Sequence, residues 1–270
     1  MQKTFYEKLK YQCNSKKSRL CIGLDVDYNL LPDYFNKTIE GTFDFLKIII
    51  DTTSQSCVAY KLNMGFFEQF GSKGYELMEK TVEYIDGRSI TIADGKRGDI
   101  GNSSRMYAKS IFNQIGFDSA TVSPYMGMDS VTPFLEDDSF GAFVLCLTSN
   151  PGSNDFQKNI YKNEPLFINV LNKLKDLNNQ NVGIVVGATQ EEDMRLLRDS
   201  GPQMTWLIPG IGKQGGNLEM SVNLGNRDES FGIINVSRDI LYYKDSSKDS
   251  VKFKANYYHQ KIKEILNNGK

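Results

Sequence analysis

Two aspartates and two lysines have the spacing and charge needed for proton transfer. Asp94, Lys96 and Asp99 lie within six residues, and Lys61 lies near the end of an earlier β-rich run. At the end of an extended strand, residues 94 and 96 point to the same side, about 7 Å apart along the strand. Gly98 permits a turn that brings Asp99 back toward them. Since nearby carboxylates favour the charged form of an ammonium group, we expect Lys96 to be a proton donor. The alternative is a purely structural network of buried salt bridges.

A second group of residues is suited to binding phosphate. Residues 209–216 read Pro-Gly-Ile-Gly-Lys-Gln-Gly-Gly, and Arg238 follows the next β-rich run. Backbone N–H groups exposed in such a loop bind anions, and a guanidinium is a permanently charged partner for phosphate oxygens. The alternative is a tight turn with an unrelated surface arginine.

A third segment, Thr148-Ser149-Asn150, carries hydroxyl and amide groups ahead of a Pro-Gly pair. Such groups are able to read the polar edge of a planar base. The same residues also fit an ordinary turn.

Eight short β-rich runs alternate with helical patterns and provide the elements that position these residues. Most runs are continuously apolar, as in strands that are covered on both faces. The predicted strands are 19–25, 58–62, 89–94, 119–122, 142–147, 182–186, 205–208 and 232–236. The predicted helices are 34–53, 74–86, 103–115, 130–135, 166–177, 190–199 and 251–266.

This alternation predicts an α/β fold, a (β/α)8 TIM barrel that fills residues 1–270 as a single domain. A doubly wound open sheet is the alternative, although its usual glycine-rich first turn is missing after the first run. In a barrel, the residues at the carboxyl ends of the strands meet at one rim. Asp25, Asn63 and Ser237 join the charged residues there, because each ends or follows a predicted strand.

The composition excludes several classes of function. The formal net charge is −1, so no global basic field exists to attract nucleic acid. His259 is the only histidine, and we expect it at the surface of the C-terminal helix, away from any metal or catalytic triad. The four cysteines form no C-x-x-C pair, which predicts buried thiols in a reducing compartment. No apolar segment has the length of a signal peptide or membrane span, so we expect a cytoplasmic protein.

Taken in order, these motifs resemble the orotidine 5′-monophosphate decarboxylase family, in particular its longer bacterial and protozoan branch. Residues 94–100 match the family's D-x-K-x-x-D-I motif, and residues 209–216 resemble its phosphate loop. Leu24-Asp25, residues 60–63 and residues 148–152 also match in family order, so the resemblance spans about 19–240.

The resemblance implies conversion of orotidine 5′-monophosphate (OMP) to UMP, the last step of de novo pyrimidine synthesis, with no metal and no organic cofactor. Lys96 would protonate C6 of the base, and Asp94 would lie beside the substrate carboxylate. Lys61 and Asp25 would hold the ribose and the charge network. The implied substrate-binding residues are Asp25, Asn63, Ile100, Ser103, Ser149, Pro209, Gln214, Gly215, Ser237 and Arg238.

The resemblance also implies a homodimer with shared active sites, in which Asp99 and Ile100 reach the partner subunit's substrate. Ser149 would contact the pyrimidine, and Gln214 and Arg238 the 5′-phosphate. Two positions depart from the family's pattern, because Ser237 replaces a common glycine and Ser103 replaces the usual threonine.

Three other readings remain open from the sequence. A magnesium-dependent sugar-phosphate enzyme of the same barrel superfamily would share D-x-K-x-x-D, but it resembles this chain less where Lys61 replaces a carboxylate metal ligand. A catalytically silent nucleotide-binding barrel would keep the phosphate loop and lose part of the charge array. A scaffold barrel would have no reason to collect these groups at one rim.

Overall fold

Eight parallel strands form a closed barrel in the computed structural model, which describes residues 3–268 apart from the side chain of Glu229. Each strand pairs with the next, and the last pairs with the first. The strands are β1 Leu20–Gly23, β2 Ala59–Asn63, β3 Ile90–Arg97, β4 Ser119–Val122, β5 Gly141–Leu147, β6 Val182–Val186, β7 Thr205–Ile208 and β8 Gly232–Val236. This topology confirms the predicted TIM barrel and excludes the doubly wound open sheet.

Helices surround the barrel, most of them between successive strands. They are α1 Phe5–Ser15, α2 Ile39–Thr53, α3 Gly65–Glu68, α4 Ser72–Ile85, α5 Gly101–Lys109, α6 Ser153–Phe156, α7 Leu166–Lys175, α8 Glu191–Ser200, α9 Leu218–Gly225, α10 Arg238–Leu241 and α11 Lys248–Asn268. A two-stranded hairpin, Ile160–Tyr161 with Glu164–Pro165, lies between β5 and α7. Residues 1–2 and 269–270 lie outside the described residues, so the 1–270 domain extent stays a prediction.

Three predicted helices have different bounds or forms in the structure. The helix predicted over 34–53 begins only at Ile39, because the Thr38 side chain caps its first turn by accepting a hydrogen bond from Gly41 N at 3.1 Å. The pattern at 103–115 is α5 followed by a π-helical turn, Ser110–Ile115. The pattern at 130–135 forms short 3-10 turns that contain Pro133.

The first helix, α1, was not predicted from the sequence. Phe5, Leu9 and Cys13 are buried on one face at i, i+4 and i+8, and the Phe5 ring lies edge-on to Phe143 of β5 with centroids 5.9 Å apart. This face closes the amino-terminal end of the barrel. The available signal was the capping box of Thr4 and Glu7, whose reciprocal hydrogen bonds start the helix.

The barrel interior changes from apolar to polar along the strands. Ile92 and Ile233 belong to the lower apolar cluster. Two residues further along the same strands, Asp94 and Asn235 line an open pocket. Because alternate residues of a strand face the same side, the strand period itself places a polar layer above the apolar one.

All four cysteines are buried and free. His259 does not lie fully at the surface as expected, because α11 packs on α2 and leaves the imidazole half-buried, with Nδ1 3.1 Å from the Ser56 carbonyl oxygen. Burial lowers the pKa of His259. No helix among residues 3–268 is long and apolar enough to span a membrane.

Candidate active site

A row of alternating charges lies at the carboxyl end of β2 and β3. Asp94 Oδ2 is 2.7 Å from Lys61 Nζ, and Asp94 Oδ1 is 2.7 Å from Lys96 Nζ. Asp25 Oδ1 lies 3.7 Å from Lys61 Nζ on the opposite side. The Lys61 side chain is 5% exposed, whereas that of Lys96 is 47% exposed. One ammonium is therefore a buried counter-ion, and the other reaches the open pocket.

The buried pair is held in its charged form. Burial by itself lowers the pKa of Lys61, but the carboxylates of Asp25 and Asp94 outweigh burial, and the pKa lies above its ordinary value. Burial raises the pKa of Asp94, and the ammonium groups of Lys61 and Lys96 outweigh it, so this pKa lies well below its ordinary value. Near neutral pH, Asp94 is therefore an anion shared by two cations.

A bulge in β3 aims Lys96 into the pocket. Ala93 pairs with Ala120 and Arg97 with Val122, so β3 advances four residues where β4 advances two. Lys96 lies in this bulge with φ of 46°, a left-handed conformation that side chains other than glycine rarely adopt. A bulge re-aims a side chain that a regular strand would direct elsewhere.

Thr121 of β4 connects the bulge to the buried carboxylate. Its hydroxyl donates to Asp94 Oδ1 at 3.0 Å and accepts from the backbone N–H of Lys96 at 2.9 Å. This one side chain therefore holds both the anion and the backbone of the pocket-facing lysine.

The charged row forms the floor of a pocket of about 730 Å³. Of the residues predicted for the site, the structure brings together in this pocket Asp25, Lys61, Asn63, Asp94, Lys96, Ser149, Pro209, Gln214, Ser237 and Arg238. They come from the ends of β1, β2, β3, β5, β7 and β8, so the rim expected of a barrel is formed.

The glycine-rich loop after β7 folds back on itself at the pocket mouth. Gly216 N donates to the Gly210 carbonyl at 3.0 Å, and Gly215 N donates to that of Gly212 at 2.9 Å. Gly210, Gly212 and Gly215 have φ of 109°, 85° and 76°, which explains why glycine occupies these three positions.

Arg238 and Ser237 face this loop from the end of β8. The Arg238 side chain has no ion pair or hydrogen bond within residues 3–268, so its guanidinium is free to bind an anion. Ser237 Oγ instead donates to the Gly23 carbonyl at 3.1 Å. A Cβ on Gly23 would lie 2.8 Å from Ser237 Cβ, so the barrel seam leaves room for only one side chain here.

Four predicted residues do not line the pocket of a single chain: Asp99, Ile100, Ser103 and Gly215. The turn at Gly98 was expected to bring Asp99 back toward Lys96. Instead, Ser123 N donates to Arg97 O at 2.7 Å, and the chain then leaves the barrel into α5. In the described part of the chain, Lys96 pairs with Asp94 alone, so two carboxylates do not surround this ammonium within one subunit.

Four polar residues of the pocket were missed from the sequence: Thr121, Gln157, Asn235 and Asp239. Lys213 also lines the pocket and lies in the predicted phosphate loop, but it was not named as a site residue. The signal for Asn235 was its position two residues beyond Ile233 on the inner face of β8. Gln157 carried no local signal, because it acts through tertiary contacts, donating to Thr148 Oγ1 at 2.8 Å and accepting from Thr148 N at 2.8 Å.

Comparisons with known proteins agree with this architecture. Residues 18–252 match the family described as "Orotidine 5'-phosphate decarboxylase / HUMPS family". The chain is 44% identical over 250 residues to an orotidine 5′-phosphate decarboxylase of Dehalococcoides mccartyi, covering 90% of this chain and 91% of the relative. It is 45% identical over 245 residues to an orotidine 5′-phosphate decarboxylase of Christiangramia forsetii, covering 89% of this chain and 90% of the relative.

A solved structure shows the same likeness in three dimensions. The structure of Leishmania donovani OMP decarboxylase superposes with a TM-score of 0.86 at 33% identity, covering 97% of this chain and 98% of that one. Sequence and fold thus agree over nearly the whole length, and this chain belongs to the orotidine 5′-phosphate decarboxylase / HUMPS family.

Proposed function

We propose that this chain converts OMP to UMP and CO2, the last step of de novo pyrimidine synthesis, with Lys96 as the proton donor. One observation carries the proposal. Asp94 is shared at 2.7 Å by buried Lys61 and exposed Lys96, in the same pocket as the unpaired Arg238. A charged reaction centre and an anion-binding end, within one pocket, fit a substrate with a carboxylate on its base and a distant phosphate.

The proposed chemistry needs no electron sink beyond the residues present. When the C6–carboxylate bond breaks, its electron pair stays on C6 as CO2 leaves. The ammonium of Lys96 stabilises this charge, and its proton then forms the new C6–H bond. Asp94 beside the substrate carboxylate would raise the energy of the bound substrate relative to the transition state.

Lys61 and Asp25 would hold the ribose while keeping the row of charges in order. Asp25 Oδ1 also accepts from the backbone N–H of Asn63 at 3.1 Å, so β1 and β2 are joined at the point where a sugar would bind. Asn63 lines the same wall. Asp25 and Asp94 hold Lys61, and Asp94 also holds Lys96, so both ammonium groups are preorganised for electrostatic stabilisation.

The upper part of the pocket would bind the base and the phosphate. Ser149 would contact the pyrimidine. Gln214 and Arg238 would hold the 5′-phosphate, with Pro209, Gly215 and Ser237 completing the phosphate end. Energy from binding the distant phosphate is available for closing the loop and for distortion at C6.

The active form would be a homodimer with shared sites. Asp99 and Ile100 lie outside their own subunit's pocket and would reach the partner subunit's substrate. Ser103 also lies outside that pocket. Large apolar residues are exposed just before α5, on α5 and in the loop after β4, namely Ile100, Met106, Tyr107, Tyr125 and Met126. Large exposed apolar patches commonly mark interaction surfaces.

The reaction would proceed in the cytoplasm without metal or organic cofactor. Lys61 occupies the β2 position where a magnesium-dependent relative would place a carboxylate ligand. Among residues 3–268, no group of three or more His, Cys, Asp or Glu side chains is arranged to hold a metal. Nucleic acid and membrane are not expected partners.

The test is ultraviolet-monitored loss of OMP with purified protein in excess EDTA. Rapid formation of UMP is the expected result. UMP binding without turnover would identify a silent nucleotide-binding barrel, and turnover only after magnesium is added would identify the metal-dependent alternative. A folded protein that neither binds nor converts the nucleotide would overturn the proposal and leave the charge array a structural network.

A further inference from the structure

Next to Arg238, a carboxylate faces the pocket from α10. Asp239 lines the pocket, and its side chain is 26% exposed. An unpaired carboxylate here would repel a phosphate and compete for the neighbouring guanidinium. Within residues 3–268 Asp239 does not pair with Arg238, and two side chains of the C-terminal helix hold its carboxylate instead.

Those side chains are Lys254 and Tyr258 of α11. Lys254 Nζ lies 3.1 Å from Asp239 Oδ2, and the Tyr258 hydroxyl donates to the same oxygen. Residues four apart lie on one face of a helix. Buried Val251, Ala255 and Ile262, each 0% exposed, anchor that helix against the barrel.

The same cluster supports the glycine-rich loop. A Cβ built on Gly212 would lie 3.0 Å from the Cβ of Asp239 and 3.4 Å from the Tyr258 hydroxyl. The backbone at Gly212 therefore packs directly against the two side chains. A displacement of Tyr258 or Asp239 would therefore change the packing of the loop at Gly212.

We propose that Lys254 and Tyr258 of the C-terminal helix neutralise Asp239 and brace Gly212, which keeps Arg238 unpaired and the loop in place for phosphate. This inference rests on the proposed function and adds positioning residues to its phosphate site. These residues act through Asp239 and the loop, and none of their contacts is with the reacting carbon.

The electrostatic part is tested by a double-mutant cycle on the charge pair. Inhibition constants of UMP and uridine against OMP turnover are measured for Lys254→Met, Asp239→Asn and the double variant. Lys254→Met exposes the Asp239 charge and should weaken UMP roughly three- to tenfold. Uridine, which lacks the phosphate, should be unaffected. Asp239→Asn should bind UMP no more weakly than the wild type. The double variant should regain the UMP affinity that Lys254→Met loses.

The bracing part is tested with adjacent tyrosines. Tyr258→Phe removes the hydroxyl that contacts Gly212 and Asp239, and we expect a higher KM for OMP with kcat little changed. Tyr257→Phe is the matched control, because Tyr257 is 45% exposed on the same helix. Thermal unfolding checks each variant, and Lys254→Gln replaces Lys254→Met if that variant does not fold.

The outcomes separate this inference from the proposed function. Three results would overturn the inference alone, provided that the wild type turns over OMP. They are equal weakening of UMP and uridine binding in Lys254→Met, no recovery of UMP binding in the double variant, and no change in any variant. Absence of wild-type turnover would overturn the proposed function and the inference with it.

Discussion

Lys61 and Lys96 are both paired with Asp94, yet the surroundings of the two ammonium groups differ. Lys61 is enclosed between Asp25 and Asp94, so its proton is held tightly. Among the described residues Lys96 pairs with Asp94 alone, and its side chain is 47% exposed. A proton donor must come within hydrogen-bonding distance of its acceptor, and the more exposed ammonium of Lys96 suits the role proposed for it above.

At the scale of one residue, Lys96→Ala should lower kcat by at least about a thousandfold, because it removes both the proton and the charge that stabilises the carbanion. UMP binding should stay measurable, since the phosphate end is intact. Steady-state kinetics and UMP calorimetry measure the two effects. Lys109→Ala on the outside of α5 is the control, and near-normal turnover of Lys96→Ala would refute the proton-donor role.

Arg238→Ala should act mainly on KM. The guanidinium lines the pocket without a partner among residues 3–268, and its loss would remove charge-assisted hydrogen bonds to the phosphate worth about 1.5–3 kcal/mol, or roughly 10- to 100-fold in KM. Kinetics with OMP measure this, with Arg195→Ala on the exposed face of α8 as the control. An unchanged KM would place the phosphate site elsewhere.

At the scale of elements, the β3 bulge depends on one hydroxyl from β4. Thr121→Val removes the bond to Asp94 and leaves the Lys96 N–H without its acceptor, so we expect kcat to fall roughly 10- to 100-fold. Thr121→Ser should restore activity. Thr205→Val, a buried threonine of β7 outside the pocket, is the control. Wild-type kcat in Thr121→Val would show that the bulge forms without this bridge.

Helix α1 contributes to stability rather than chemistry, because it closes the barrel end opposite the pocket. Phe5→Ala should lower the free energy of unfolding by about 3–5 kcal/mol. Tyr11→Ala on the exposed face of the same helix should change it by less than about 0.5 kcal/mol. Urea unfolding measures both, and kcat of the folded Phe5→Ala protein should equal the wild-type value. A loss in kcat without a loss in stability would contradict this division.

At the scale of the whole molecule, complete sites require two subunits if Asp99 reaches across the dimer. Lys96→Ala and Asp99→Ala proteins should each be nearly inactive alone. Mixed at equal concentration with subunit exchange, they should recover about a quarter of wild-type activity, because half the dimers are hybrids with one intact site. Mass spectrometry confirms hybrid formation. Hybrids without activity would count against shared sites.

Much of this molecule was predictable from local pattern. Continuous apolar runs followed by polar strand ends indicated eight covered strands, because the strand period is a local property. The alternation of these runs with helical patterns indicated parallel strands and therefore one functional rim. The pocket-lining positions of Asp25, Lys61, Asp94 and Arg238 follow from that rim. Helix α1 also carried local signals, namely the capping box of Thr4 and Glu7 and the i, i+4, i+8 spacing of Phe5, Leu9 and Cys13, although it was not predicted.

The sequence by itself determined the barrel, its polar rim and the family motifs, since these depend on residue type and spacing along the chain. Only the tertiary structure decided how the charges are shared. The hydrogen bonds of Thr121 with Asp94 and of Tyr258 with Asp239 join residues 27 and 19 positions apart. The turn after β3 directs Asp99 away from the pocket. Such contacts depend on how closed strands and a returning helix meet in space, which no spacing along the chain specifies.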